Sequence, residues 1–221
     1  MKAVCLLSGG MDSSTLAYAA KDMGYDIIAL HFTYGQLTEA KERSCARTIA
    51  RMLDAVEFVE IGLEHFRVIG ASSLTDPEIP IEEYTGEGEA MPNTYVPFRN
   101  ANLLAIATSL AEARRAEAIF IGVQAADYPG YPDCRPEFIE AFQRVIDLGT
   151  AAGPRITLMT PFIGMTKAEI LSVGLALGVP YAETWSCYQG GDRACGVCSS
   201  CHYRREAFRA AGVPDPIDYE E

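Results

Sequence analysis

No stretch of this 221-residue sequence approaches the length of apolar chain that crosses a bilayer, which takes about 20 consecutive apolar residues in a helix. The N-terminal run Met1-Lys2-Ala3-Val4-Cys5-Leu6-Leu7 passes straight into glycines with no signal-peptide cleavage pattern, so a cytoplasmic protein is expected. Internal repeats are absent, which removes solenoids and propellers. Positive charge is scarce: 18 Lys and Arg stand against 30 Asp and Glu, a formal net charge of −12. A field of that sign repels phosphodiester backbones, so a polynucleotide would need a dedicated basic patch. The one dense basic cluster is Arg204, Arg205 and Arg209, whose spacing reads as the solvated face of a short helix. A large nucleic acid is therefore not expected as a direct substrate.

Apolar residues are plentiful, 49% of the chain in short runs, which suits one domain with a small appendage. Residues 4–7 form an apolar run ending in Ser-Gly-Gly, and an alanine-rich segment over 13–23 is closed by Gly24. Strand, loop and helix is the economical reading. The same patterns predict strands over 26–33, 56–61, 118–123 and 156–159 and helices over 38–52, 100–114, 135–148 and 202–211. Thr166, with Glu169 three residues on, predicts a capping box for a helix from Lys167 to Leu177 that Gly178 and Pro180 stop. The alternation predicts an α/β fold, a doubly wound and mostly parallel sheet of about five strands. Residues 1–184 form that domain in this reading and 185–221 a C-terminal module. Between 62 and 95 the rhythm breaks: Pro77, Pro80, Gly86, Gly88 and Pro92 punctuate an acidic segment, which predicts a long surface excursion.

Glycines placed directly after a strand and before a helix let backbone N–H groups converge on an anion, and the helix dipole adds to the attraction. Ser8-Gly9-Gly10-Met11-Asp12-Ser13 occupies that position. It lacks the Lys-Ser/Thr of the Walker loop and the spaced glycines of the dinucleotide fingerprint. It resembles instead the pyrophosphate loop of the N-type ATP pyrophosphatases, or PP-loop enzymes, whose pattern is Ser-Gly-Gly-x-Asp-Ser. The resemblance implies an adenine nucleotide alpha hydrolase-like fold and attack by an oxygen on the α-phosphorus of ATP with loss of pyrophosphate. Gly9 and Gly10 are then expected to admit the pyrophosphate closely, Met11 to lie within the loop, and Ser8, Ser13 and Ser14 to offer hydroxyl donors. Asp12, acidic where phosphate binds, is expected to hold Mg²⁺ or to order the loop.

The chain has 7 cysteines, and Cys187, Cys195, Cys198 and Cys201 crowd together near its end. The spacing brings four thiolates within reach of one ion, with glycines supplying the turns, and suits a tetrahedral Cys₄ zinc site. A filled sphere leaves no place for water, so the metal is expected to be structural. An iron–sulfur cluster and His202 as a rival ligand are the competing readings. Cys5 and Cys45 read as small buried apolar side chains.

Two further segments lie where open parallel sheets bind ligands, residues 93–100 and 122–138. In the second, Asp127, Tyr128, Tyr131, Asp133 and Arg135 are held among three prolines and Gly130, a composition suited to a flat, hydrogen-bonding heterocycle. With Tyr34-Gly35-Gln36, Val96-Pro97-Phe98-Arg99-Asn100, Lys167-Ala168-Glu169 and Thr184-Trp185-Ser186-Cys187, the chain resembles the 7-cyano-7-deazaguanine synthase family of the queuosine pathway. That resemblance implies a homodimer that turns 7-carboxy-7-deazaguanine, ammonia and ATP into the nitrile, with one structural zinc per subunit. In this frame Asp127 or Asp133 reads the ring N–H groups, Tyr128 or Tyr131 stacks on its face, Arg135 meets the carboxylate, and Arg99 and Lys167 neutralise phosphate charge. Three alternatives stand beside it: a ligase that joins the same acid to another amine and stops at the amide, a tRNA-modifying member of the loop superfamily, and a non-catalytic nucleotide sensor.

Overall fold

The computed structural model describes residues 1–86, 91–124, 131–151 and 156–220. The first strand, β1 (Lys2–Leu6), shows why the sheet is covered on both sides: Val4 and Leu6 belong to one apolar cluster, Ala3 and Cys5 to the other. Near-continuous apolar strands of this kind are characteristic of parallel sheets sandwiched by helices. After α1 (Met11–Asp22) come β2 (Asp26–Thr33), α2 (Glu39–Met52), β3 (Glu57–Gly62) and the short α3 (His65–Ile69). The chain continues through α4 (Arg99–Arg114), β4 (Ala118–Phe120), α5 (Pro136–Gly149), β5 (Thr157–Met159), α6 (Lys167–Ala176) and α7 (Ser199–Ala210).

The strands form one five-stranded sheet in the order β3-β2-β1-β4-β5, with every neighbouring pair parallel. Leu16 of α1, Ile49 of α2 and Ile170 of α6 pack with one face, and Leu104 of α4 and Ile146 of α5 with the other. The chain winds outward from β1 through β2 and β3, then resumes on the other side of β1 with β4. Loops leaving the carboxyl ends of β1 and β4 therefore diverge, and ligands of doubly wound sheets bind in the crevice this opens.

Helix α6 starts as its sequence predicts. Thr166 Oγ1 accepts from the Glu169 N–H, and Glu169 returns a carboxylate oxygen to the Thr166 N–H. Helix α7 starts at Ser199, inside the cysteine module, earlier than the expected 202, because extended Cys198 serves as its N-cap. Its Ala207 and Phe208 pack with Met11, Leu171 and Tyr181 in a third apolar cluster.

Two expectations are corrected. Part of the 62–95 excursion is interior: Phe66, Ser72, Ser73 and Leu74 are buried. Serine makes this possible by satisfying the loop's own backbone, as Ser72 Oγ does for the Leu74 N–H. The segment also reaches the C-terminal module, where the Tyr84 N–H donates to the Val197 carbonyl and the Tyr84 ring stacks on His202. The second correction is Arg204. Arg205 and Arg209 are exposed as expected, but Arg204 is 1% exposed and paired with Asp215.

Candidate functional site

The Ser8–Ser13 loop lies between the end of β1 and the start of α1, with Gly10 as the N-cap. Its hydroxyls organise it from within: Ser8 Oγ and Ser13 Oγ are 2.9 Å apart, the Ser8 N–H donates to Ser13 Oγ, and Ser13 Oγ donates to the Gly10 carbonyl. Gly9 has φ +85°, and a Cβ there would lie 2.7 Å from both Ala46 N and Glu42 O of α2. Its missing side chain therefore faces the protein rather than a phosphate. Gly10 lacks that constraint, since a Cβ there would meet ordinary contacts at 3.4 and 3.5 Å. Ser14 is wholly buried and its hydroxyl has no protein partner.

Asp12 and Lys167 meet across the N-termini of α1 and α6, with Lys167 Nζ 2.5 Å from Asp12 Oδ2. The other carboxylate oxygen, Asp12 Oδ1, is buried with no hydrogen-bond partner. A lone anionic acceptor out of water is costly, and a hard divalent cation is a natural partner for it.

Residues of the loop, Asp12 and Lys167 line a cleft of about 340 Å³, and Tyr34, Tyr95, Arg99, Tyr131 and Asp133 line the same cleft. Arg99, at the first position of α4, donates to the Tyr34 hydroxyl at 3.2 Å. Burial acts to lower its pKa, but Tyr34, Tyr131 and Asp133 outweigh that and raise it, so the guanidinium stays charged. Tyr131 stacks on Tyr95 with ring centres 5.4 Å apart and shares a hydrogen bond with Thr94.

Asp133 is brought to the cleft, but one of its oxygens is committed. Oδ2 accepts the Asn100 N–H at 2.9 Å and caps α4 from across the chain, where Phe98 at the N-cap position supplies no side-chain bond. Arg135 is exposed at the start of α5 and is not among the cleft-lining residues. Asp127 and Tyr128 lie outside the described residues. Sequence reasoning did not single out Tyr95, Gln124 or Tyr188, which also line the cleft. Gln124 follows β4, and its buried Oε1 has no partner; its position just past a strand's carboxyl end was the available signal.

The sulfur atoms of Cys187, Cys195, Cys198 and Cys201 lie within 4.8 Å of one another and all four residues are buried. Cys195 and Cys201 sulfurs are 3.9 Å apart, close to the roughly 3.8 Å edge of a tetrahedron with 2.3 Å metal–sulfur bonds. Backbone N–H groups of Gln189 and Cys195 point at Cys187 Sγ, and that of Cys198 at Cys195 Sγ. Hydrogen bonds with Cys187 and Cys201 hold the Cys198 thiol far below its ordinary range. The donor set and its spacing fit a metal bound by four thiolates.

The family model described as "Queuosine biosynthesis protein QueC" matches residues 2–212. The 7-cyano-7-deazaguanine synthase of Methanoculleus marisnigri is 78% identical over 219 residues, covering 99% of both chains. That of Methanosphaerula palustris is 66% identical over 221 residues, and that of Halobacterium salinarum 49% over 220, each spanning 100% of this chain and 100% and 96% of the respective relative. Among solved structures, a 4-thiouridine synthetase in complex with RNA and bound ATP superposes with a TM-score of 0.56 at 19% identity, covering 99% of this chain and 47% of that one. The U34-tRNA thiolase NcsA from Methanococcus maripaludis, solved with its 4Fe-4S cluster, gives 0.52 at 14%, covering 100% and 74%. At these identities the likeness is one of fold, the PP-loop fold. The match over residues 2–212 and relatives of 78% and 66% identity along the whole chain make this an enzyme that belongs to the QueC family of queuosine biosynthesis.

Proposed function

We propose that the protein converts 7-carboxy-7-deazaguanine and ammonia to 7-cyano-7-deazaguanine, driven by ATP, by adenylylating first the carboxylate and then the amide. The observation that carries this reading is one cleft lined by residues of the Ser8–Ser13 loop and Lys167 together with Arg99 and the stacked Tyr95 and Tyr131. A carboxylate resists attack by ammonia because oxide is a hopeless leaving group. Bonding its oxygen to the α-phosphorus, with pyrophosphate leaving, converts that oxide into AMP. Ammonia then adds, AMP departs, and the amide remains. A second adenylylation, on the amide oxygen, lets AMP leave again with loss of the nitrogen's protons, which forms the carbon–nitrogen triple bond. One phosphate loop thus serves both activations.

In this reading the backbone N–H groups around Gly9, Gly10 and Met11 and the hydroxyls of Ser8 and Ser13 cradle the phosphates. Lys167 and Arg99 offset charge that builds as pyrophosphate leaves. Mg²⁺ accompanying ATP takes the unpartnered Asp12 Oδ1. Tyr131 lies against the heterocycle. The four thiolates hold a structural Zn²⁺ within residues 185–221, and two chains form a homodimer.

The test is mass spectrometry of the products formed from the acid, ammonia and ATP. The nitrile is expected, with an amide that appears first and is consumed. A reaction that stops at an amide, or that proceeds only with a different amine, overturns the proposal in favour of a ligase.

A further inference from the structure

We propose that Arg204 is a positioning residue for the phosphate loop: from inside the C-terminal module it holds the Thr184–Ser186 segment where the Trp185 main chain grips Gly9. The inference rests on the reading of the Ser8–Ser13 loop as the ATP site.

A guanidinium out of water must find protein acceptors for its donors, and the acceptors Arg204 has found are specific. Nε and Nη2 donate to the two oxygens of Asp215 at 2.8 and 3.0 Å, and Nη2 also to the Tyr181 carbonyl at 3.0 Å. Nη1 donates to Thr184 Oγ1 at 2.8 Å and to Ser186 Oγ at 3.4 Å. Thr184 and Ser186 are the two neighbours of Trp185. Between them the Trp185 N–H donates to the Gly9 carbonyl at 2.9 Å. Trp185 is 5% exposed and lines the cleft, and its indole lies under Lys41 Nζ at 4.6 Å.

Gly9 is thus held from two sides. The backbone of α2 stands at its back with no room for a Cβ, a contact that sheet packing fixes. The Trp185 contact in front comes from an irregular segment whose side-chain anchor is Arg204. That anchor sits on α7, three positions after Cys201, so the helix that carries a metal ligand also carries the loop's support. A buried ion pair gives little net stability compared with well-packed apolar groups. What the guanidinium supplies here is direction, since it fixes several acceptors at set angles as no apolar side chain does.

The deciding variant is Arg204→Lys in the full chain, which keeps a positive charge for buried Asp215 but has no fork to hold Thr184 and Tyr181 together. Trp185 is the single tryptophan of the sequence, so its emission reports this segment directly. With metal content and cooperative unfolding retained, ATP affinity is expected to fall about tenfold, the size of a coupling carried through packed neighbours. KM for ATP should rise in step, KM for the acceptor acid should hold, and Trp185 emission should shift to the red before ATP is added. A folded, metal-loaded Arg204→Lys with unchanged emission and ATP affinity overturns the proposal. If that variant fails to fold, Thr184→Val, which removes one acceptor, is judged by the same readouts. Ser13→Ala is measured beside them: if it weakens ATP binding while the Arg204 and Thr184 variants do not, this inference alone fails. If none of them changes ATP affinity, the reading of the loop fails with it.

Discussion

Lys167 Nζ stands 2.5 Å from Asp12 Oδ2, so the first turns of α6 and α1 are joined by a charge pair at the mouth of the phosphate loop. The side chains are 22% and 23% exposed, a half-sheltered setting in which an arriving polyphosphate can share the ammonium without moving it far. Lys167→Met is therefore expected to lower kcat/KM for ATP by about 10²–10³-fold, the loss typical when one donor to a developing anion is removed. Steady-state kinetics with ATP varied checks this. A drop confined to the acceptor's KM would remove Lys167 from the phosphate end.

Metal binding in a module of loops and one helix is also folding energy. Cys198 is both a thiolate of the cluster and the N-cap of α7, so Cys198→Ser is expected to lose the metal and to melt several degrees lower, with turnover falling in proportion to unfolded protein. Metal analysis by mass spectrometry together with calorimetry checks the pair of effects. A well-folded, metal-free and fully active variant contradicts a structural role.

What was legible in the sequence was local. The Thr166–Glu169 capping box, the strand–glycine–helix order around Ser8–Ser13 and the convergence of four cysteines each depend on residues close in sequence, and each is present. What was illegible depends on partners far along the chain. Arg204 looked like surface charge because Asp215 and Thr184 are 11 and 20 residues away. The helix-capping contact of Asp133 was hidden because Asn100, whose N–H it accepts, is 33 residues away. The packing of Gly9 against α2 was hidden in the same way. Burial of Ser72 and Ser73 was masked by their polarity, although short hydroxyl side chains are what allow a loop to satisfy itself inside a protein.

His31 carries a pH dependence. Its Nδ1 lies 2.9 Å from the Leu7 carbonyl, which only accepts, so Nδ1 bears the proton and buried Nε2 is an acceptor without a partner. Burial lowers its pKa below the ordinary 6.5, outweighing the contact with Leu7 that raises it. The unfolded chain therefore takes up a proton where the folded protein resists one. Stability from this group is complete above pH 6.5 and is lost as pH falls from there through the lower folded value. His31→Gln should flatten the fall in melting temperature between pH 7 and 5 relative to the parent. Parallel melting curves across that range would show that His31 does not contribute.

The two loop glycines separate packing within the protein from packing on the ligand. A Cβ at Gly9 meets α2 backbone at 2.7 Å from a left-handed φ of +85°, so Gly9→Ala combines strain with a clash that no flexible side chain can relieve. A loss of roughly 2–4 kcal/mol in unfolding free energy is expected with or without nucleotide. At Gly10, φ is −80° and a Cβ meets nothing closer than 3.4 Å, so the free protein tolerates alanine. Gly10→Ala should keep the parent's stability within about 0.5 kcal/mol and yet bind ATP more weakly, because its methyl group then intrudes only on what the loop holds. Chemical denaturation with and without ATP reads both variants. If Gly10→Ala binds ATP as the parent does, phosphate does not approach the loop at that residue.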